Sequence, residues 1–113
     1  MEIIDKKILL KLRKKNIGNR LLVKAIDKLV QQIEHANWET EIDIQNDRPD
    51  ADRVHNDGFY IFNIRIHRTM ILISIEEDLA RILWVGTHQE YALNFQNNKK
   101  TIEKWLRSRN EIK

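Results

Sequence analysis

The chain of 113 residues contains no cysteine. That excludes a disulfide framework, a zinc–thiolate site and a thiol nucleophile. Proline is also scarce, with Pro49 alone, and the three glycines are Gly18, Gly58 and Gly86. There is consequently no flexible linker, no low-complexity tract and no internal repeat, and the chain reads as one domain over 1–113. No apolar run approaches the roughly 20 residues that a membrane-spanning helix requires. The N-terminal stretch MEIIDKKILLKLRKK mixes charges through its apolar residues and lacks a small-residue cleavage site, so it does not read as a signal peptide. A soluble, cytoplasmic protein without membrane association is expected. Phosphate-cradling glycine loops, G-x-S-x-G and S-x-x-K are absent as well, which removes nucleotide-dependent and serine-nucleophile enzymes. The four histidines, His35, His55, His67 and His88, are dispersed without ligand spacing, so no metal or other cofactor is expected.

What is present is a globular balance, 42% hydrophobic and 33% charged residues, with a net charge of only +3. The charge is unevenly spread. Residues 1–30 carry nine basic and three acidic side chains, residues 31–58 two basic and eight acidic, and residues 96–113 six basic and two acidic. Basic ends lying side by side would make a surface attractive to a polyanion such as RNA. Two separately solvated helix faces would give the same pattern.

Periodicity divides the chain. Ile8, Leu9 and Leu12 among lysines suit a short amphipathic helix over 5–15, which Asn16 to Asn19 breaks. Leu21, Leu22, Ala25, Ile26, Leu29, Val30 and Ile33 then trace one buried stripe of a longer helix ending near Ala36, and Trp38 covers the core edge. Thr40 to Asp43 reads as a capped turn, and the acidic stretch from Asp43 to Asp57 as a loop leading into β structure near Val54. Residues 59–66, 69–76 and 80–85 are rich in Ile, Phe, Tyr, Trp and Val. They are separated by His67-Arg68 and by Glu77-Asp78, which predicts an antiparallel meander. A polar segment, Thr87 to Tyr91, follows Gly86, and a helix over 98–109 buries Ile102, Trp105 and Leu106. The expected fold is α+β: two N-terminal helices packed on a three- to four-stranded antiparallel sheet, with a C-terminal helix. One sheet face would remain free to bind.

From Ala36 onward three fragments stand out: A-N-W-E-T-E-I-D-I, R-P-D-A-D-R-V-H-N-D-G-F-Y-I-F-N-I and V-G-T-H-Q-E-Y. In this order and spacing the chain resembles the HigB toxins of bacterial type II toxin–antitoxin modules, within the RelE/ParE superfamily, over about residues 20–92. The resemblance implies a RelE-like fold and a ribosome-dependent endoribonuclease that cuts messenger RNA in the decoding site. It also implies a HigA-like helix-turn-helix antitoxin as partner, with operator DNA bound indirectly through the toxin–antitoxin complex. One departure is clear. The family commonly reads F-N-I-x-G-N-x-Y-R-L, whereas this chain has F-N-I-R-I-H-R-T-M-I-L, with Met70 at the arginine position. That departure motivates the rival expectation of a non-nuclease member of the same fold, acting on gyrase as the ParE branch does or as a degenerate toxin that binds antitoxin.

RNA can be cut without a metal because its 2′-hydroxyl is an internal nucleophile. The reaction needs a base, positive charge at the phosphate and an acid for the leaving oxygen. Imidazole serves as acid or base and guanidinium as a permanent phosphate ligand. The T-H-x-E-Y resemblance points to His88 as general acid or base and Tyr91 as the group orienting substrate. Arg68 would stabilise the charge developing on the phosphate, with His67 as the second titrating group. Arg65, which a regular pleat would set on one face with Asn63 and His67, joins Arg53 and His55 as candidate RNA contacts. His35 falls near a helix end.

Overall fold

The computed structural model describes residues 1–96 and 98–113. Its elements, in chain order, are β1 (Glu2–Ile4), α1 (Lys7–Lys15), α2 (Arg20–Glu34), α3 (Glu41–Asp47), β2 (Asp52–His55), β3 (Phe59–Ile64), β4 (His67–Ser74), β5 (Leu79–Thr87), α4 (His88–Phe95) and α5 (Lys99–Ser108). The five strands form one sheet in the order β1-β5-β4-β3-β2. All neighbours are antiparallel except β1 and β5, which run parallel.

The architecture is α+β, but the expected three- to four-stranded antiparallel sheet is corrected to a five-stranded mixed one. β1 is the strand the sequence hid. Three residues show no readable period, and β1 is defined only by pairing with Leu79, Ala80 and Arg81 at the far end of the meander. The strand boundaries shift too. β3 ends at Ile64, β4 begins at His67, and the loop between them is Arg65-Ile66 rather than His67-Arg68. Arg65 adopts a left-handed conformation there, with φ 61°.

Both faces of the sheet are covered, so neither is wholly free. On the first face, Leu9 of α1 and Leu22, Ile26, Leu29 and Ile33 of α2 pack with Tyr60, Phe62, Ile64, Ile71, Ile73, Ala80 and Ile82. On the second, Tyr91 and Phe95 of α4 and Ile102 and Leu106 of α5 pack with Val54, Phe59, Ile61, Met70 and Leu83. Coverage on both sides explains why β3 reads F-Y-I-F-N-I with little alternation: only Asn63 is exposed. A bulge in β5 sets Met70 opposite Trp84 but Ile71 opposite Ile82. The extra residue turns Leu83 and Trp84 to the same, second face.

The helices start where capping chemistry allows. The Asn19 side chain accepts from the Leu22 amide at 3.2 Å, and Thr40 and Asp43 form a reciprocal capping box that opens α3. The basic ends do not lie side by side. α1 packs on the first face near β5, and α5 on the second near β2. The two-solvated-faces account of the charge pattern is therefore the one the fold supports.

Candidate functional site

At the end of the sheet bearing the β3–β4 turn, α4 begins immediately after β5. Thr87 caps it. Its hydroxyl accepts from the Glu90 amide at 3.0 Å, while the Glu90 carboxylate accepts from the Thr87 amide at 2.8 Å. Those bonds hold the Glu90 carboxyl below its usual pKa, with burial opposing and the nearby His67 contributing least. The spacing T-x-x-E is the sequence signature of a helix start, so the segment from Thr87 to Tyr91, expected to be polar and irregular, instead opens α4. A further bond, from the His88 amide to the Ile66 carbonyl at 2.7 Å, ties this helix start to the β3–β4 turn.

Starting the helix at His88 places Tyr91 one turn later on the same side, turned toward the second face of the sheet. The ring is buried among Trp84, at 6.2 Å, and Phe95, at 5.4 Å. Phe95 in turn meets Trp84 and Trp105 edge-on, at 5.2 and 5.4 Å. Gly86 makes room for this cluster, since a Cβ there would stand 2.6 Å from the Trp84 ring.

Arg68 reaches the same ring from β4, its guanidinium carbon 5.2 Å from the Tyr91 centroid. Asp52, opposite Ile61 on β2, also faces this side. The Tyr91 hydroxyl is pushed up from the ordinary phenol value chiefly by burial, next by the Asp52 carboxylate, with Arg68 pulling the other way. Tyr91 is thus kept as a neutral hydrogen-bonding phenol. His88 is exposed at the first position of α4.

Two of the sequence candidates therefore meet on the second face, Arg68 and Tyr91, while His88 stands exposed one turn before Tyr91. The others do not join them. His67 pairs with Ile64 and Thr87, so its side chain falls on the first face, in a cavity of about 290 Å³ lined by Ile8, Lys11, Leu12, Lys15 and Glu90 among others. Burial lowers its pKa, opposed by Glu90, and its Nδ1 is buried without a hydrogen-bond partner. Arg65 occupies the exposed turn, and the tight hairpin separates it from the alignment expected of Asn63, Arg65 and His67, because the pleat ends at Ile64. Arg53 is held by Glu41 at 2.8 Å on the first-face side of β2. His55 meets the Phe59 ring edge-on. Phe59 lies four residues from Asn63, the partner of Arg68, which at about 3.3 Å per residue is roughly 13 Å along β3. Met70 is fully buried in the second core.

The site gains two members that sequence reasoning did not assign, Asp52 and Asn63. Asn63 is exposed and stands opposite Arg68. Behind it, Asp50 accepts from the Asn63 amide at 2.8 Å, and Arg48 donates to the Asn63 carbonyl at 2.7 Å and to Asp50 at 2.9 Å. The alternating R-x-D-x-D of residues 48–52 carried this signal, obscured by its reading as an acidic loop.

Among the described residues, no three His, Asp or Glu side chains group as metal ligands, and no helix is long and apolar enough to cross a membrane. The second face thus carries a guanidinium over a phenol ring, with an exposed imidazole one helical turn before that phenol. A family model described as HigB toxin, the RelE-like toxic component of a toxin–antitoxin system, matches residues 23–93, and the chain belongs to this family. As a toxin component it has an antitoxin for a partner. The match contains every site residue above and leaves β1, α1 and α5 outside it. A comparison with individual curated proteins found no match.

Proposed function

We propose that this toxin is a ribosome-dependent messenger RNA endoribonuclease working without a metal. The observation that carries the reading is the Arg68 guanidinium 5.2 Å over the Tyr91 ring, one helical turn from His88, within the family-matched segment. In this mechanism the 2′-oxygen attacks the adjacent phosphorus and the bond to the 5′-oxygen breaks. The products are a 2′,3′-cyclic phosphate and a 5′-hydroxyl end. Arg68 neutralises the charge that builds on the non-bridging oxygens. Tyr91, a neutral phenol, donates a hydrogen bond to the phosphate and holds the guanidinium flat. His88 relays the proton as acid or base, its exposure allowing exchange with solvent. Asp52 is the second group within this face able to take the 2′-proton. His67, on the opposite face, stays outside the reacting set, and Arg65, Arg53 and His55 remain as peripheral RNA or ribosomal RNA contacts. The antitoxin is a HigA-like helix-turn-helix protein, and operator DNA is reached through that complex.

The test is to add the protein to programmed ribosomes and map RNA 5′ ends. Cuts at the decoding site, abolished by His88→Ala and by Tyr91→Phe, are expected. Intact message beside an active control toxin overturns the proposal. Buried Met70, in place of the family arginine, favours a second reading in which the fold acts by binding alone. Inhibition of gyrase supercoiling, with message left intact, would select it.

A further inference from the structure

β2 begins at Asp52, opposite Ile61, so the last three residues of β3 have no strand beside them on that side. The two-residue turn makes Ile64 and His67 the closing hydrogen-bonded pair, and Asn63 and Arg68 the next, non-bonded pair. In such a pair the side chains approach most closely, and the backbone groups point away to the neighbouring strand position. There Asp50 and Arg48 substitute for a strand: a carboxylate takes the Asn63 amide and a guanidinium takes its carbonyl. Both are largely shielded from solvent, with side-chain exposures of 12% for Arg48 and 24% for Asp50. Gln32 at 3.1 Å and the Phe62 ring at 5.9 Å hold Arg48 from behind. The backbone of Asn63 is thus fixed on both sides. Its exposed carboxamide has no hydrogen-bond partner among the described residues, and Asn63 stands directly across from Arg68 in the strand pair.

A neutral amide, with an NH2 donor group and a carbonyl acceptor, adds little at a phosphate already served by arginine. It matches a nucleobase edge, where paired donor and acceptor discriminate between bases. We infer that Asn63 reads the base next to the phosphate held by Arg68, and that the Arg48–Asp50 pair is its positioning device. The inference rests on the nuclease reading for the identity of the site but is testable without cleavage.

Isotope-labelled protein is titrated with four uncleavable 2′-O-methyl trinucleotides, one for each base, and observed by NMR. The Arg68 Nε–H signal should shift with all four, and the Asn63 side-chain amide with one or two only. Asn63→Ala should reduce the affinity ratio of best to worst base by about fivefold or more. Asp50→Ala should do the same while leaving the Arg68 response, and Asp50→Asn, which keeps an acceptor for the Asn63 amide, should restore part of the discrimination. Shifts at Arg68 with none at Asn63, or equal Asn63 shifts with all four bases, overturn the inference and leave the nuclease reading standing. Base-selective Asn63 shifts in protein that cuts no message support the inference and overturn the nuclease reading instead.

Discussion

Beneath α1 and α2 the sheet meets aliphatic side chains almost throughout, whereas beneath α4 and α5 it meets a chain of rings, Tyr91, Trp84, Phe95 and Trp105. The first layer is laid down by a fifteen-residue helix with a single apolar stripe. The second is split between two shorter helices, and at the end of the sheet where α4 begins Asn63 and His88 are exposed and Arg68 is half-buried over Tyr91. One face carries the stability, and the other combines a smaller core with an open polar edge. Aromatic rings suit that mixed duty because they bury area while presenting a flat surface for a guanidinium or a base.

That division can be broken most forcefully at Phe62, fully buried on the first face. Phe62→Ala should cost about 3–5 kcal/mol, a large part of a small domain's total, and lower the denaturation midpoint sharply. On the other face the effects should separate. His88→Ala should reduce cleavage by about 10²–10⁴-fold, and Arg68→Ala by about 10²–10³-fold. Neither should move the denaturation midpoint by more than the equivalent of about 1 kcal/mol, because both residues stand at the open edge.

Gly86→Ala sharpens the comparison further, since it drives a methyl into the Trp84 ring without touching the first core. It should destabilise by about 1–3 kcal/mol and shift tryptophan emission. Smallest is the pH response of His67. Burial lowers its pKa in the folded state, so between that lowered value and about 6.5 the unfolded chain binds more protons. Stability should therefore rise with pH through this window and fall as acid is added below about 6.5. His67→Gln should flatten that segment of a midpoint-versus-pH curve, with Lys11, Lys15 and Glu90 as the charged groups bordering the same cavity.

Legibility in the sequence followed the range of the interactions. The α2 stripe, the central strands and the 98–109 helix were readable because burial repeats locally along each of them. β1 was not, since its partner is 77 residues away and three residues carry no period. α4 was readable in principle from Thr87 and Glu90, but its polar first turn hid it. The candidate site shows the same split. Tyr91 and His88 came from a contiguous motif, and Arg68 from its neighbourhood. The separation of His67 from Arg68 depended on where the hairpin turned, and a two-residue slip moved the loop from His67-Arg68 to Arg65-Ile66. Asn63 acquired its place only through Arg48 and Asp50, thirteen and more residues earlier in the chain.

The parallel pairing of β1 with β5 also sets a schedule for synthesis. While the chain is being translated, residues 2–4 have no sheet edge to join until residues 79–87 follow them. Arg68 likewise waits for His88 and Tyr91, which arrive after β5. On a nascent chain the Arg68–Tyr91 contact therefore forms only after the central strands and the start of α4 have all emerged.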